Sequence, residues 1–133
     1  MSIFVDTVYW LALVNRNDRW HPQAVEWSAR VDEPLVTTDA VLTEVADALC
    51  RGERRRWAVE TIRAIRADRS IRSVAGGTAL FRQAFDLYSS RPDKDWSLTD
   101  CMSFVVMKNE RLDRALTTDV HFAQAGFQAL LRE

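Results

Sequence analysis

The chain begins with a strand-to-helix pattern in Ile3-Phe4-Val5-Asp6-Thr7-Val8-Tyr9-Trp10-Leu11-Ala12-Leu13-Val14. The first three residues of this stretch are large and apolar, which predicts a buried β-strand, and the segment from Thr7 to Val14 predicts a helix. An acidic residue, Asp6, stands where the strand passes into the helix. Strands that alternate with helices are typical of α/β proteins with a parallel sheet, so the opening of the chain favours that class.

The rest of the chain repeats this alternation of short apolar runs and amphipathic segments. Further strands are predicted at residues 34–38, 71–74, 115–117 and 127–131; further helices begin near residues 21, 40, 55, 97 and 120, with one more after Gly77. Gly52 is expected to end the helix that starts near residue 40. The strands are too apolar to have one wet face, which indicates a parallel sheet covered on both sides. We therefore predict a three-layer α/β/α fold with a central parallel sheet of four to five strands, as a single domain over residues 1–133.

Composition places the chain among ordinary globular proteins. It has 133 residues, of which 47% are hydrophobic and 28% charged, and this excludes a disordered tail protein. No apolar run approaches the ~20 residues that a membrane span needs, and no signal peptide is visible. The two cysteines, Cys50 and Cys101, fit a reducing compartment and lack the spacing of a zinc site. We expect a cytoplasmic protein without membrane association.

Arginine supplies nearly all of the positive charge. The formal net charge is -1, so bulk attraction to nucleic acid is weak, and Lys94 and Lys108 are the only lysines. The planar guanidinium suits phosphates and carboxylates, although most of these side chains are expected on solvated helix surfaces. One cluster is a candidate contact for RNA or an acidic partner: Arg51, Arg54, Arg55 and Arg56.

Three acidic residues stand where a parallel sheet binds ligands. Ligands of open α/β sheets bind beyond the carboxyl ends of the strands, and Asp6, Asp39 and Asp119 each follow a predicted strand. Each also suits the N-cap of the next helix, because a carboxylate accepts hydrogen bonds from the free N–H groups there. Taken alone, each of the three is interpreted as a cap.

Two further acids lie on apolar helix faces. Glu44 falls in a stripe with Val41 and Val45, where it is either a solvent-reaching side chain at the stripe's edge or a functional carboxylate. Asp100 lies in the first turn of a segment that is apolar nearly all round. Ser97, three residues earlier, completes the pattern of a capping box. Asp100 is therefore expected at the margin of a buried helix.

Convergence of these acids would require a cation. Two carboxylates ~4 Å apart repel by about 4 kcal/mol at an effective dielectric constant of about 20, whereas a whole domain is stable by only ~5–15 kcal/mol. A cluster of four therefore persists only if it shares protons or binds a divalent ion. Carboxylate oxygens without a nearby cysteine or histidine pair favour Mg²⁺ or Mn²⁺ over Zn²⁺. Such a cluster is predicted to be a metal site.

Four short motifs stand in order along the chain. They are Phe4-Val5-Asp6-Thr7, Val41-Leu42-Thr43-Glu44, Ser97-Leu98-Thr99-Asp100-Cys101 and Leu116-Thr117-Thr118-Asp119-Val120-His121-Phe122. Each is weak by itself. Together, at these intervals and in a chain of this size, they resemble PIN-domain ribonucleases, specifically the VapC-type toxins of type II toxin–antitoxin pairs. The resemblance covers nearly the whole chain.

The resemblance implies roles for particular residues. The catalytic, metal-binding quartet would be Asp6, Glu44, Asp100 and Asp119. Thr117 or Thr118 would be a polar group that supports the acids, and Ser97 would cap its helix and hydrogen-bond an acid. His121 matches the His-Phe pair of the family and is interpreted as a packing or orienting group. The residues interpreted as structural or solvated are His21, Asp39, Asp93 and Asp95.

The resemblance also implies an activity and partners. It implies cleavage of RNA within the strand, dependent on one or two Mg²⁺ ions with Mn²⁺ as a substitute, leaving a 5′-phosphate and a 3′-hydroxyl. A cognate VapB-like antitoxin would lay a peptide across the site, the toxin would form a homodimer, and operator DNA would be bound only through the antitoxin. The apolar first helix would serve such contacts or simply fill the core.

Other classes of function fit the sequence less well. Haloacid-dehalogenase phosphatases need a second aspartate two residues after the first, and this position is occupied by Val8. The alternative to the nuclease is a catalytically inactive PIN-fold module that binds RNA or a protein. The presence of all four acids argues against it.

Overall fold

The computed structural model describes all 133 residues and contains five strands and seven helices. The strands are β1 (Ile3–Val5), β2 (Leu35–Thr38), β3 (Ile71–Val74), β4 (Arg114–Leu116) and β5 (Gln128–Ala129). The helices are α1 (Thr7–Val14), α2 (His21–Arg30), α3 (Asp39–Ala48), α4 (Arg54–Ala67), α5 (Thr78–Ser90), α6 (Leu98–Asn109) and α7 (Val120–Gln124), followed by a 3₁₀ turn over Leu130–Arg132. None of these helices has the length and apolar character of a bilayer span.

The strands form one parallel sheet in the order β3-β2-β1-β4-β5. The chain runs outward from β1 through β2 to β3, then returns to the other side of β1 with β4 and β5. The direction therefore reverses between β1 and β4, and the carboxyl ends of strands at such a switch point form a crevice for ligands. The predicted α/β class and parallel sheet are confirmed, with five strands.

The central strand is buried on both sides. Ile3, Phe4 and Val5 have no exposed surface, and successive side chains of a strand point to opposite faces, so helices cover both faces of the sheet. Helix α6 is also buried, as its apolar sequence predicts. Its Phe104 lies edge-on to Phe122 of α7, with ring centroids 4.9 Å apart. This packing fixes α6 and α7 beside each other at the carboxyl end of β4.

Two predicted boundaries are wrong. Helix α3 ends at Ala48, not near residue 51, because the chain turns through residues 49–53 into α4 and Gly52 adopts a φ of +60° in that turn. A positive φ of this size favours glycine. The strand predicted at 127–131 is only two residues long, because Leu130 starts the 3₁₀ turn.

The predicted caps are corrected in two of three cases. Thr38, not Asp39, caps α3, since the Thr38 hydroxyl accepts a 3.0 Å hydrogen bond from the backbone N–H of Val41. Asp6 precedes α1 but makes no capping hydrogen bond with its side chain. Asp119 does cap α7, because its carboxylate accepts a 2.8 Å hydrogen bond from the backbone N–H of His121. The carboxylate of Asp6 is therefore not used in capping α1.

Candidate metal centre

All four predicted acids line one cleft of about 560 Å³ at the carboxyl ends of β1 and β4. Asp6 follows β1, and Asp119 lies between β4 and α7. Asp100 comes from the first turn of α6, and Glu44 comes from the middle of α3. The fold thus brings together side chains from residues 6 to 119. All four acids therefore lie on the same side of the molecule, although they are far apart in the sequence.

Asp6 is the most buried of these acids, with 4% of its surface exposed. Burial raises the pKa of its carboxyl to about 7, and the nearby charges of Asp100 and Asp119 raise it further. Hydrogen bonds act against this rise, the strongest being the 2.8 Å bond that the Thr117 hydroxyl donates to Oδ2 of Asp6. A carboxyl group in this setting is stabilised as an anion by a cation placed beside it.

Asp100, Asp119 and His121 form a tight group in the same cleft. Nδ1 of His121 lies 3.1 Å from Oδ2 of Asp100 and 3.3 Å from Oδ1 of Asp119. One ligand atom from each of the three residues lies within 4.8 Å of the others, so the carboxylates of Asp100 and Asp119 are close enough together to bind one ion. Burial raises the pKa of Asp100, and the charge of Asp119 adds to the rise. His121 contacts both acids, which agrees with an orienting role.

Ser97 and Asp100 form the predicted capping box at the start of α6. The Ser97 hydroxyl accepts a 2.9 Å hydrogen bond from the backbone N–H of Asp100, and Oδ2 of Asp100 accepts a 3.1 Å bond from the backbone N–H of Ser97. The carboxylate is therefore fixed at the positive end of the helix, where negative charge is stabilised. The cap and the site use the same side chain.

Glu44 faces the cleft instead of reaching into solvent at the edge of its stripe. The hydroxyl of Thr7 donates a 2.6 Å hydrogen bond to Oε1 of Glu44, and both residues line the cleft. Thr7 is a site residue that the sequence reasoning missed. Its position directly after Asp6, in the first turn of α1, is the signal that points to it.

Of the two candidate threonines, Thr117 is the one that supports the acids. It is fully buried, donates to Asp6, and accepts a 3.0 Å hydrogen bond from the backbone N–H of Asp119. Thr118, the other alternative, follows β4 and makes no side-chain hydrogen bond to an acid. Its backbone carbonyl accepts a 2.8 Å bond from the Arg132 guanidinium.

The other residues considered in the sequence analysis lie partly inside and partly outside the cleft. Asp93 and Asp95 are exposed acids in the loop before α6, as expected; Asp93 is paired with Arg91, and Asp95 also lines the cleft. Asp39 bonds to Ser73 and lies outside the cleft. The four candidate arginines are exposed on the α3–α4 turn and the start of α4, and none lines the acidic cleft: Arg51, Arg54, Arg55 and Arg56.

Comparison with known proteins identifies the fold family. Residues 3–128 match the family described as PIN domain. The chain belongs to the PIN-domain family. This PIN domain is 33% identical over 125 residues to a Mycobacterium tuberculosis protein named 23S rRNA-specific endonuclease VapC20, covering 94% of this chain and 95% of that protein. The resemblance to VapC-type toxins seen in the motifs is confirmed.

Solved structures give the same result for the PIN domain. The crystal structure of VapC20 from Mycobacterium tuberculosis, described as a Sarcin-Ricin loop cleaving toxin, matches with a TM-score of 0.87 at 32% identity, covering 94% of this chain and 95% of that one. Two more distant structures share the fold alone. VapBC2 from Rickettsia felis, bound to a promoter DNA fragment, has a TM-score of 0.68 at 10% identity, covering 97% and 96%. FitAcB from Neisseria gonorrhoeae has a TM-score of 0.67 at 14% identity, covering 97% and 95%.

The donor set of this PIN domain fits a divalent cation. The cleft offers carboxylate oxygens from six residues, the four predicted acids together with Asp47 and Asp95. Burial opposes ionisation of Asp6 unless positive charge is near. Oxygen-only ligand sets suit Mg²⁺ and Mn²⁺, whereas Zn²⁺ is usually held with cysteine or histidine. The one histidine in the cleft, His121, is already in contact with Asp100 and Asp119. The residues therefore fit a hard metal ion.

Proposed function

We propose that this PIN domain is a metal-dependent endoribonuclease and the toxin component of a VapBC-type toxin–antitoxin pair. The observation that carries the proposal is the meeting of Asp6, Glu44, Asp100 and Asp119 in one cleft. The chain that carries these acids is 32% identical in sequence to a toxin described as cleaving the Sarcin-Ricin loop. The domain over residues 1–133 acts as one unit in this proposal.

The four acids hold Mg²⁺, for which Mn²⁺ is the expected substitute. When bound, the ion supplies an activated water for hydrolysis and neutralises negative charge on the phosphate that is cleaved. Asp6 is buried and Asp100 half-buried, and a cation stabilises the ionised form of each. Without the cation, four carboxyl groups repel a polyanion, so binding of RNA at the cleft requires it.

The remaining polar residues of the cleft position these acids. Thr117 and Thr7 each donate a hydroxyl hydrogen bond, to Asp6 and Glu44 respectively. His121 lies between Asp100 and Asp119 and orients both carboxylates. Groups that fix a ligand's orientation in this way preserve the geometry that hydrolysis needs. Ser97 adds to this by fixing Asp100 at the helix start.

The substrate class is RNA, and the first substrate to test is the sarcin–ricin loop of 23S rRNA. This choice rests on the names of the similar proteins, which are a 23S rRNA-specific endonuclease and a Sarcin-Ricin loop cleaving toxin. The exposed arginines at the start of α4 supply attraction to the RNA backbone or to an acidic partner: Arg51, Arg54, Arg55 and Arg56.

The partners proposed are a VapB-like antitoxin and a second copy of the chain. A structural relative is a VapBC complex bound to promoter DNA, so operator DNA is expected to be bound through the antitoxin. The toxin acts in the cytoplasm in this proposal, where its RNA substrate lies. The two free cysteines, Cys50 and Cys101, are compatible with that reducing environment.

Cleavage of RNA by the purified chain tests the proposal. The chain is incubated with total ribosomal RNA in Mg²⁺, in Mn²⁺ and in EDTA, and the cut ends are mapped. The expected result is discrete cleavage with either metal, ends carrying a 5′-phosphate, and none in EDTA. Equal cleavage by an Asp6→Ala variant purified in the same way would indicate a contaminating nuclease and would leave only the inactive binding module.

A further inference from the structure

A second cleft lies directly beside the acidic one. It has a volume of about 570 Å³ and is formed by the end of α5 and the loop that precedes α6. Tyr88, Arg91 and Lys94 are among the residues that line it. Asp95 and Ser97 line both clefts, so the two are continuous. A polymer bound at the acids therefore has this second cleft in its path.

Lys94 gives the second cleft a positive charge that forms no salt bridge, although, after the hydrogen bond from Arg91, it is one of the weaker causes that lower the pKa of Asp93. Its side chain is half-buried, and no carboxylate lies within 4.0 Å of its ammonium group. Arg91 differs, because its guanidinium is bound to Asp93 at 3.0 Å and lies 5.0 Å over the ring of Trp96. An ammonium group without a salt bridge, next to the acidic site, suits the next phosphate of an RNA strand that runs out of that site.

Tyr88 gives the same cleft an exposed aromatic surface. It is 47% exposed and ends a row of rings on one side of α5 that includes Phe85 and Phe81. Of the three, only Tyr88 lines the second cleft. Exposed aromatic rings next to a basic group are the usual platform on which single-stranded nucleic acids stack their bases. Tyr88 and Lys94 together thus suit one nucleotide, with the ring facing its base and the ammonium group facing its phosphate.

On the basis of the proposed nuclease function, we propose that the second cleft binds the nucleotide adjacent to the cleaved phosphodiester. In this site Tyr88 stacks on the base and Lys94 binds the phosphate. Only an unpaired nucleotide presents the face of its base, because a base within a duplex is stacked on its own neighbours. The site therefore selects RNA that is single-stranded, or a loop, on one side of the cut.

Substitutions that shorten or exchange these side chains test the site. Tyr88→Leu and Lys94→Ala remove the ring and the charge, while Tyr88→Phe and Lys94→Arg keep them. Phe81→Leu is the matched control, since Phe81 is an equally exposed ring on the same helix that does not line the second cleft. Thermal unfolding checks that each variant folds, as expected for substitutions outside the core.

The first measurement is binding, which requires no cleavage. Fluorescence anisotropy compares a labelled 12-nucleotide oligouridylate with an RNA duplex of the same length, in Ca²⁺, which has the same charge as Mg²⁺. Tyr88→Leu and Lys94→Ala are each expected to weaken binding of the single strand by about fivefold or more, and Tyr88→Leu to leave duplex binding unchanged. Wild-type affinity of both variants for the single strand overturns the proposal.

The second measurement is cleavage of a hairpin with the sarcin–ricin loop sequence in Mg²⁺. The expected result for Tyr88→Leu is a KM raised by about fivefold or more with kcat within about twofold, and for Tyr88→Phe and Phe81→Leu wild-type values of both. An intact hairpin with the wild-type chain counts against the proposed function, while the binding measurement still decides the second cleft.

Self-association is the remaining outcome that would contradict the site. The row of Phe81, Phe85 and Tyr88 is an apolar surface of the kind that also joins two copies of a chain. Sedimentation velocity of wild type, Tyr88→Leu and Phe81→Leu distinguishes the two uses. If both substitutions convert a dimer into monomers and weaken RNA binding equally, Tyr88 is an interface residue and the nucleotide site is overturned.

Discussion

The hydroxyl of Thr117 donates a 2.8 Å hydrogen bond to Oδ2 of Asp6, joining two residues 111 positions apart in the sequence. Both are buried, and they follow the neighbouring parallel strands β4 and β1. The bond lowers the pKa of Asp6, while burial raises it. The readiness of Asp6 to ionise, and so to bind a cation, depends on the balance between these two effects.

Replacing Thr117 tests that balance. Thr117→Val has nearly the same shape but no hydroxyl, so the pKa of Asp6 rises further and the carboxylate loses its orientation. We expect RNA cleavage at pH 7 to fall by about 10- to 100-fold. Thr117→Ser keeps the donor and is expected to retain most activity. Initial cleavage rates across pH measure the effect, and a wild-type profile for the valine variant would refute the role of this bond.

The metal-free protein is expected to lose stability as the pH rises. Because the pKa of Asp6 is raised from 3.8 to about 7, the folded state holds a proton that the unfolded state releases between these values. That contribution is complete below pH 3.8 and lost above about 7, and burial of Asp100 acts in the same direction. The free energy of unfolding should fall by about 2 kcal/mol between pH 5 and 7.

Urea unfolding in EDTA at several pH values measures this dependence. Asp6→Asn has no proton to release and should show a flatter profile than the wild type. Asp93→Asn, at an exposed position outside the cleft, serves as the control. A profile for Asp6→Asn as steep as that of the wild type would mean that Asp6 ionises normally in the fold.

Metal binding should release protons. A cation binds the ionised form of Asp6. At pH 6 the Asp6 carboxyl must lose its proton before the cation binds, which weakens binding, whereas at pH 8 it is already ionised. We expect 10 mM Mg²⁺ to raise the unfolding temperature more at pH 8 than at pH 6. Differential scanning fluorimetry measures the shift, and an equal shift at both values contradicts the burial of the binding carboxyl group.

The bond between Thr7 and Glu44 should also affect activity. Thr7→Val removes the 2.6 Å hydrogen bond to Oε1 of Glu44 without changing the size of the side chain. Loss of one orienting donor is expected to lower cleavage by about tenfold or more, with little change in the unfolding temperature. Thr7→Ser is the matched control. Wild-type activity of the valine variant would show that Glu44 does not need this partner.

The fold was largely predictable because the strands are short, apolar and regularly spaced. The apolar sequence of β1 and the nearly all-apolar α6 have few alternatives to burial. It was harder to predict which of two neighbouring residues caps a helix. At the junction of β2 and α3, Thr38 and Asp39 are both good caps, and only the backbone geometry decides that Thr38 accepts the bond from Val41.

The sequence predicted the four acids and two of their supporting residues, Ser97 and Thr117, but not the contribution of Thr7. Asp6 and Asp119 follow strands, so sheet topology alone places them at one edge. The bond from Thr7 to Glu44 spans 37 positions and depends on how α1 packs against α3. Asp95 in the loop before α6 likewise becomes a cleft residue only through the position of that loop. Short motifs do not specify such distances.

Titration calorimetry with Mn²⁺ shows whether the four acids, which are far apart in the sequence, form one cation site. The wild type is expected to bind Mn²⁺ with an affinity that falls by about tenfold or more in each of Asp6→Asn, Glu44→Gln, Asp100→Asn and Asp119→Asn. Asp39→Asn, at the end of β2 and outside the cleft, should bind like the wild type. Unchanged binding in any two of the four variants would contradict the account.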